Sequence, residues 1–321
     1  MATNKVATNA EPLFDNPFHI EDLQVFDDDS LHRILRADVF GFTTTQLAHS
    51  LHHTSQSIVQ RIESCIPDHQ HAAFRRELDA ALSEEQIAMA QKRVLDGLFW
   101  ELTYWKTPDL YEELIEGERL HPGIFQHITS ELQNNKVLDV GAGSGRATFE
   151  CLRYGAKMVY AVEPSPGLLR ILKRKSSQSC ATQRIIPLEG RFDAVPLPDN
   201  STDIALSCSA FTALPEQGGE SGLAELQRVT KPNGKIILIW PRCEDRNWLE
   251  AHGFHYVSLP MQQEMSVHFR SLQSALECAR RFYAHNQAVL HYLHSQQKAD
   301  VPFSVIGMNP PHEYCWRNVE K

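Results

Sequence analysis

The spacing of apolar residues divides the chain into a helical first part and a mixed second part. Across residues 19–98 apolar side chains recur every three or four positions, as at Leu31 and Ile34, which is the spacing of one helix face. Polar side chains able to cap a helix precede several of these runs, including Thr43 and Ser83. The pattern predicts a separate all-helical module of several short helices.

In the second part, short apolar runs alternate with helical segments. This alternation is typical of an α/β fold with a largely parallel sheet. The runs predicted as strands are 136–140, 158–162, 185–188, 203–207, 235–240, 254–259 and 302–307. A long amphipathic helical insertion is predicted between the last two, at about 272–293.

The first predicted strand continues into glycines at Gly141, Gly143 and Gly145, and a helix follows. Glycines at alternate positions free one side of the turn from Cβ atoms, so the main chain can touch a ligand directly. The helix amino terminus then favours a carboxylate or phosphate at that place. A dinucleotide fingerprint would need a further glycine at position 146, where Arg146 stands.

The motifs around these glycines extend the pattern. The second predicted strand ends in Glu163, placed to accept hydrogen bonds from ribose hydroxyls. The run Arg228-Val-Thr-Lys-Pro-Asn-Gly234 precedes the fifth strand. Together, over about 136–241, these features resemble the class I S-adenosylmethionine (SAM)-dependent methyltransferases, and the family domain would occupy about 126–321.

The resemblance implies a Rossmann-like seven-stranded sheet, with its last two strands as an antiparallel edge, preceded here by the N-terminal all-helical domain. It also implies SAM as cofactor, with Asp139 orienting the methionine ammonium and Phe211 bordering the methyl group. The implied cofactor contacts are Asp139, Gly141, Ala142, Gly143, Gly145, Glu163, Pro164, Phe192, Asp193, Ser207 and Phe211.

One position departs from the family pattern. Many members carry an aspartate directly after the glycine that closes the third strand, where it receives the adenine amino group, and Arg191 occupies that position. The Phe192 backbone is therefore expected to hold the adenine, with Asp193 as a substitute carboxylate.

An aromatic segment lies between the two parts, within 99–125. In the resembled family this region often closes over SAM and substrate, and Tyr104, Trp105 and Tyr111 are the candidate substrate-binding residues. The alternative is that these rings fill the seam between the two modules, and the sequence favours neither reading.

The acceptor is less well specified than the cofactor. Because SAM carries an activated methyl group, a general base helps only when the acceptor holds its proton at neutral pH. The candidate bases after the fifth strand are His252, His255 and Glu264. The acceptor pocket is expected within 243–321, walled by the helical insertion.

The helical module weakly resembles the C-terminal domain of a flagellar motor-switch protein, on dispersed positions from Phe26 to Gln91. That resemblance implies a protein-contact module. Other interpretations are a simple helical appendage or a DNA-binding helix-turn-helix through 42–62. The second is disfavoured because 43–64 contains only one lysine or arginine, Arg61, and DNA binding relies on several.

Composition narrows the class of protein. The 321 residues carry a net charge of −9, which argues against nucleic acid as a partner. Seven cysteines without C-x-x-C spacing indicate neither disulfides nor a metal site and are typical of cytoplasmic thiols. Residues 1–18 read as a disordered polar tail, and no run of 18 apolar residues indicates a membrane span.

The sequence therefore predicts a cytoplasmic SAM-dependent methyltransferase with a small-molecule acceptor. The helical module would serve self-association or a protein partner. The alternatives are a methyltransferase for a macromolecule docked by that module and a non-catalytic SAM-binding protein. The predicted divisions are 1–18, 19–98, 99–125 (lid or linker), 126–242 (cofactor domain) and 243–321 (acceptor pocket).

Overall fold

The computed structural model describes residues 16–36, 40–178 and 183–321, so most of the predicted tail lies outside the described residues. Its helices are α1 (Asp28–Arg36), α2 (Thr44–Ser50), α3 (Gln56–Cys65), α4 (His71–Leu78), α5 (Glu84–Gly97), α6 (Phe99–Lys106), α7 (Pro108–Gly117), α8 (Gly123–His127), α9 (Thr129–Leu132), α10 (Arg146–Arg153), α11 (Pro166–Gln178), α12 (Gly219–Val229), α13 (Arg246–Ala251), α14 (Leu272–Phe282), α15 (Gln287–Gln296) and α16 (Phe303–Ile306).

The predicted helix starts are confirmed at two capping boxes. The hydroxyl of Thr43 accepts from the Gln46 amide at 3.2 Å, and the Gln46 side chain accepts from the Thr43 amide. Ser83 and Gln86 form the same reciprocal pair at the start of α5. Each box satisfies donors that a helix amino terminus otherwise leaves unpaired.

The chain forms two compact units. The first comprises the chain up to Thr107 together with 270–299, and the second comprises 108–269 and 300–321. The insertion helices α14 and α15 therefore belong with the N-terminal helices, although the sequence places them with the acceptor pocket. Within the first unit the Trp100 ring lies parallel to Phe282, with centroids 5.5 Å apart and planes 3° apart.

Buried aromatic side chains explain this grouping. Phe99 is fully buried and meets Phe282 edge-on at 6.2 Å, while Phe18 packs against Phe99 at 6.1 Å. Phe18 thus belongs to the packed unit instead of the predicted tail. Offset and edge-on ring pairs of this kind add to the free energy gained by burying the rings.

The second unit is built on a seven-stranded sheet, which confirms the predicted fold class. Its order is β3-β2-β1-β4-β5-β9-β6, with β1 to β5 parallel and β9 antiparallel to both of its neighbours. The strands are β1 (Lys136–Val140), β2 (Met158–Glu163), β3 (Ile185–Glu189), β4 (Thr202–Cys208), β5 (Thr230–Ile239), β6 (His255–Ser258), β7 (Ser266–His268), β8 (Asp300–Pro302) and β9 (Glu313–Asn318). The short strands β7 and β8 form a separate antiparallel pair.

The predicted strand at 302–307 is wrong. Phe303–Ile306 forms a single helical turn, which Gly307 ends in the left-handed region at φ 78°. The antiparallel strand is β9, which lies between β5 and the edge strand β6, and its Tyr314 and Cys315 point to opposite faces of the sheet and are both buried. A strand buried on both faces lacks the alternation of apolar and polar residues, and its sequence signal is weak for that reason.

Both faces of the sheet are covered. Val137 packs with α8 to α11 on one face, and Leu138 packs with α12 and α13 on the other. The strand order reverses between β1 and β4, because β1 connects outward through β2 and β3, and β4 connects the other way. In open α/β sheets such a reversal leaves a crevice at the carboxyl ends of the two strands, where ligands bind.

No helix in the described ranges is long and apolar enough to cross a membrane.

Removing 270–299 tests whether the second unit folds by itself. His268 lies opposite Asp300 in the antiparallel pair β7–β8, so replacing 270–299 by Asn-Gly leaves a three-residue hairpin loop. A chain of 108–321 with this replacement should unfold in one cooperative transition, followed by circular dichroism. A broad transition without cooperativity would contradict the division at Pro108. A matched chain that keeps 270–299 but lacks the first 107 residues should expose apolar surface and aggregate.

Candidate functional site

The glycine turn after β1 has all three glycines in the left-handed region, at φ 69°, 57° and 103° for Gly141, Gly143 and Gly145. Two of them are needed for packing, since an added Cβ would lie 2.5 Å from Ala210 at Gly141 and 2.7 Å from the Phe149 ring at Gly145. At Gly143 an added Cβ would meet no atom within 4 Å. The turn is therefore closed against protein at both ends and open at its centre, where a ligand can approach the backbone.

Glu163 ends β2 beside this turn and is 5% exposed. Its Oε2 accepts from the Gly143 amide at 2.8 Å, and its Oε1 accepts from the Ser165 amide at 2.9 Å. Hydrogen bonds to a carboxylate are the stronger kind, so Glu163 fixes the open glycine in place. Ala142 is buried and donates its amide to the Val162 carbonyl, whereas Pro164 is exposed.

Asp139 lies on β1 with no exposed surface. Its Oδ2 accepts from the Thr148 hydroxyl at 2.6 Å, and its Oδ1 has no partner among the described residues. Burial raises the pKa of this carboxyl to about 6, while the Thr148 hydrogen bond acts in the opposite direction. Ser207 on β4 also has a buried hydroxyl without a partner. Unsatisfied buried polar atoms at the carboxyl ends of β1 and β4 can accept donors from a ligand.

The loop after β3 holds its charges internally. The Arg191 guanidinium donates two hydrogen bonds of 2.9 Å to the Asp193 carboxylate. The Phe192 ring reaches the glycine turn, 3.1 Å from the Cβ position of Gly141. The structure thus brings Phe192 to the turn, as the sequence predicts, but engages the proposed substitute carboxylate of Asp193 with Arg191.

Phe211 is packed among other aromatic side chains beside α12. Its side chain is 5% exposed and packs on Phe192 at 5.4 Å and on Trp248 at 6.1 Å. An added Cβ at Gly218 would lie 2.5 Å from its ring, so α12 is packed tightly over it. The ring is thus part of the core under α12, and its place beside the methyl group stays a prediction.

The three aromatic candidates are divided between the units. In the first unit Tyr104 stacks on Trp100 at 6.1 Å, and Trp105 meets Phe26 edge-on at 5.4 Å. Tyr111 is half-buried on α7 and belongs to the second unit with the glycine turn. Tyr104 and Trp105 thus pack on rings of the first unit, and their role in substrate binding stays a prediction.

The candidate bases are not brought together at the turn. Both ring nitrogens of His252 are engaged, with the Trp248 carbonyl at 2.7 Å and Glu220 Oε1 at 2.9 Å. His255 starts the edge strand β6, four strand positions from β1, which is about 19 Å at the usual strand spacing. Glu264 accepts a hydrogen bond from Ser304 in an exposed loop. Distance and occupied nitrogens thus argue against these three residues as a base.

Sequence reasoning missed the side chain that does reach the edge beside the turn. Arg146, the first residue of α10, donates to Ser209 Oγ at 2.8 Å and to the Glu118 carbonyl at 3.2 Å. Its guanidinium also lies 5.6 Å from the centre of the Trp240 ring. The sequence signal for it is the arginine itself, which stands at the position where a dinucleotide fingerprint has glycine.

The residues that Arg146 touches have unusual backbone angles. Ser209 follows β4 at φ 58°, and Trp240 follows β5 at φ 53°. Left-handed backbone outside glycine costs free energy and tends to occur at functional sites. Arg146 thus joins the glycine turn to two strained positions at the carboxyl ends of β4 and β5.

The described residues contain no group of three histidine, cysteine, aspartate or glutamate side chains placed to hold a metal ion.

The part of the chain that carries this site is similar to known methyltransferases. Residues 137–234 match the model of a methyltransferase domain. An uncharacterized methyltransferase-like protein of Schizosaccharomyces pombe is 32% identical over 133 residues, which cover 40% of this chain and 48% of that protein. The malonyl-[acyl-carrier protein] O-methyltransferase of Halorhodospira halophila is 30% identical over 169 residues, covering 51% of this chain and 46% of that protein.

The chain thus spans about half the length of these relatives. Among solved structures, the YcgJ protein of a Bacillus species aligns with a TM-score of 0.43 at 12% identity, covering 63% of this chain and 99% of that one. The matched domain does not include the N-terminal helices, so their resemblance to a flagellar motor-switch protein stays a prediction.

The buried carboxyl of Asp139 generates a prediction about stability and pH. A folded-state pKa of about 6, above the ordinary 3.8, means that the folded protein loses stability as pH rises from about 4 to 6. Asp139→Asn keeps an acceptor for Thr148 and cannot ionise. At pH 8 the variant should therefore exceed the wild type in free energy of unfolding by up to about 3 kcal/mol, and the difference should shrink toward pH 4.

Urea unfolding of both proteins at pH 4.5 and pH 8 measures this difference. Because other carboxylates titrate identically in the two proteins, the wild type serves as the reference at each pH. A variant that is less stable than the wild type at pH 8 would contradict the assignment of an unfavourably buried charge to Asp139.

Proposed function

We propose that this chain is a SAM-dependent methyltransferase that transfers a methyl group to a small-molecule acceptor. The match of 137–234 to a methyltransferase domain supports the reaction class. The observation that carries the proposal is the hydrogen bond from the Gly143 amide to Glu163. Gly143 is the one glycine of the turn whose outer side is open. This arrangement offers a carboxylate and a bare backbone to the same ligand.

The residues present fit SAM. Glu163 would accept from the ribose hydroxyls, and the unpartnered Oδ1 of Asp139 would accept from a donor such as the methionine ammonium. Phe192 would lie against the adenine. The Asp193 carboxylate in the same loop is engaged by Arg191, so it is not assigned to the adenine amino group. SAM, when bound, supplies a methyl group already activated on a sulfonium sulfur.

The chain's own task is then to position the acceptor and exclude water. Arg146 is suited to positioning, because it ties the turn to the ends of β4 and β5 through Ser209 and Trp240. A general base is not part of the proposal, since His252, His255 and Glu264 each lie in other contacts or far along the sheet.

Further expectations about the acceptor, the helical unit and the compartment belong to the proposal. A small acceptor is favoured because a cavity of about 380 Å³ in the second unit reaches the turn at Ser144 and Arg146. The first, helical unit would serve self-association or a protein partner, and the protein would act in the cytoplasm. The relative from Halorhodospira halophila is named for an acceptor attached to a carrier protein, so a protein-linked acceptor is the second candidate.

Loss of Glu163 should weaken SAM binding. Glu163→Ala removes charge-assisted hydrogen bonds to the ribose, and the expected cost is roughly 1.5–3 kcal/mol of binding free energy. Isothermal titration calorimetry with SAM measures it, and Glu250→Ala, an exposed carboxylate on α13, is the matched control. Unchanged affinity in folded Glu163→Ala would remove this residue from the cofactor site.

Turnover separates the reaction from mere binding. Purified protein incubated with SAM and a cell extract should produce S-adenosylhomocysteine, and dialysis of the extract should abolish the product if the acceptor is small. Activity that survives dialysis would indicate a macromolecular acceptor. Tight SAM binding without product in either extract would support a regulatory SAM-binding protein and contradict the proposed reaction.

A further inference from the structure

Two strands of the sheet are followed by a residue that does not suit its backbone conformation. Among the described residues of the second unit, the left-handed residues other than glycine are Asn134, Asn200, Asn233, Ser209 and Trp240. The three asparagines lie near the starts of β1, β4 and β5, and asparagine tolerates this conformation. Ser209 and Trp240 directly follow the carboxyl ends of β4 and β5, and neither residue type favours it. Local sequence preference therefore does not explain the strain at this edge of the sheet.

Contacts from four residues hold Trp240 in this conformation. Its amide donates to the Glu313 carbonyl at 2.9 Å, and its indole Nε1 donates to the Asn309 carbonyl at 3.1 Å. The Phe303 ring meets the indole edge-on at 6.0 Å, and the Arg146 guanidinium lies 5.6 Å from the ring centre. A strained residue persists only where its surroundings fix it, and such residues cluster at functional sites.

Trp240 is connected to the glycine turn through Ser209 and Arg146. The Ser209 amide donates to the carbonyl of the last residue of β5 at 2.9 Å, which joins the end of β4 to the residue before Trp240. The Ser209 hydroxyl accepts from Arg146 at 2.8 Å, and the next residue, Ala210, lies 2.5 Å from the Cβ position of Gly141. The indole therefore lies at the strand ends where the proposed reaction takes place.

The indole offers a ligand an apolar face and no polar group. Trp240 is half-buried and so keeps surface that a ligand can cover. Its one side-chain N–H is already donated to the Asn309 carbonyl. Met308, which precedes Asn309 in the chain, is 42% exposed, and its flexible thioether side chain can adapt to an apolar ligand. This place on the sheet is therefore suited to an apolar molecule.

We propose that Trp240 binds the methyl acceptor, and that this acceptor is an apolar small molecule with a planar ring that lies against the indole. The inference rests on the proposed function, because it names the chemical class of the acceptor of that reaction. A planar ring is favoured because offset stacking on an aromatic side chain adds to the free energy gained by burial. Ser209 and Arg146 are positioning residues, which keep the indole in place.

Two variants of Trp240 and one control test this assignment. Trp240→Leu removes the aromatic face, and Trp240→Phe keeps a smaller one. Trp316→Leu is the matched control, because Trp316 is also half-buried, packs on the same apolar cluster and has a cation, Lys235, 4.4 Å from its ring centre. Trp316 lies within β9, opposite Ile237, and away from the carboxyl end of β5. The two leucine variants should therefore lower the urea midpoint of unfolding by similar amounts.

The probe is an ultrafiltered cell extract, divided on a reversed-phase column into a retained apolar fraction and an unretained polar fraction. Each fraction is incubated with SAM and protein, and S-adenosylhomocysteine is measured. With the wild type, the retained fraction should give most of the product. For that fraction, the apparent KM should rise about tenfold in Trp240→Leu and about threefold in Trp240→Phe, while the Kd for SAM stays within about twofold. Trp316→Leu should stay within about twofold in both quantities.

The proposal is overturned if most of the product comes from the unretained fraction, or if Trp240→Phe and a folded Trp240→Leu leave the apparent KM unchanged. It is also overturned if Trp316→Leu raises the apparent KM as much, or if SAM affinity falls in parallel. Should Trp240→Leu not fold, the phenylalanine variant decides. Failure of the proposed function is a different result, in which the wild type does not bind SAM or forms no S-adenosylhomocysteine with the undivided ultrafiltrate.

Discussion

The hydrogen bond from the Gly143 amide to the Glu163 carboxylate is the constraint on which the rest of the site depends. It joins the end of β2 to the middle of the turn after β1, and it holds a glycine whose outer side is open. The neighbouring glycines, Gly141 and Gly145, leave no room for a Cβ, so protein atoms enclose both ends of the turn. A ligand entering the crevice between β1 and β4 would meet a main chain held by the protein's own contacts, which lowers the ordering cost of binding.

A second constraint follows from charge. Asp139 is fully buried against α10, and burial opposes ionisation of its carboxyl group. One of its carboxylate oxygens, Oδ1, has no hydrogen-bond donor among the described residues. Stability of the fold alone would favour a neutral side chain there. The free energy given up at this position would be recovered if a donor from a ligand reached the carboxylate, which is the usual relation between a destabilised site and its function.

Much of the fold could be predicted from the sequence, for reasons that differ between elements. Strands β1 to β5 carry apolar runs bounded by turns, and the capping residues of α2 and α5 act within four residues, so local pattern suffices. β9 escaped detection because burial on both faces removes its alternation. The burial of Phe211 and the distance of His255 from β1 could not be predicted, because only tertiary packing decides whether a ring after β4 turns inward, or how far an edge strand lies from β1.

The first unit is built from two segments that are far apart in the sequence, and this affects its folding during synthesis on the ribosome. The helices up to Thr107 are complete about 160 residues before α14 leaves the ribosome. At roughly 5–20 residues per second, that interval lasts on the order of 10–30 s. During it Phe99 and Trp100 have no Phe282 to pack against. A nascent chain therefore presents these rings to chaperones, or to other nascent chains, for longer than a module that is continuous in sequence would.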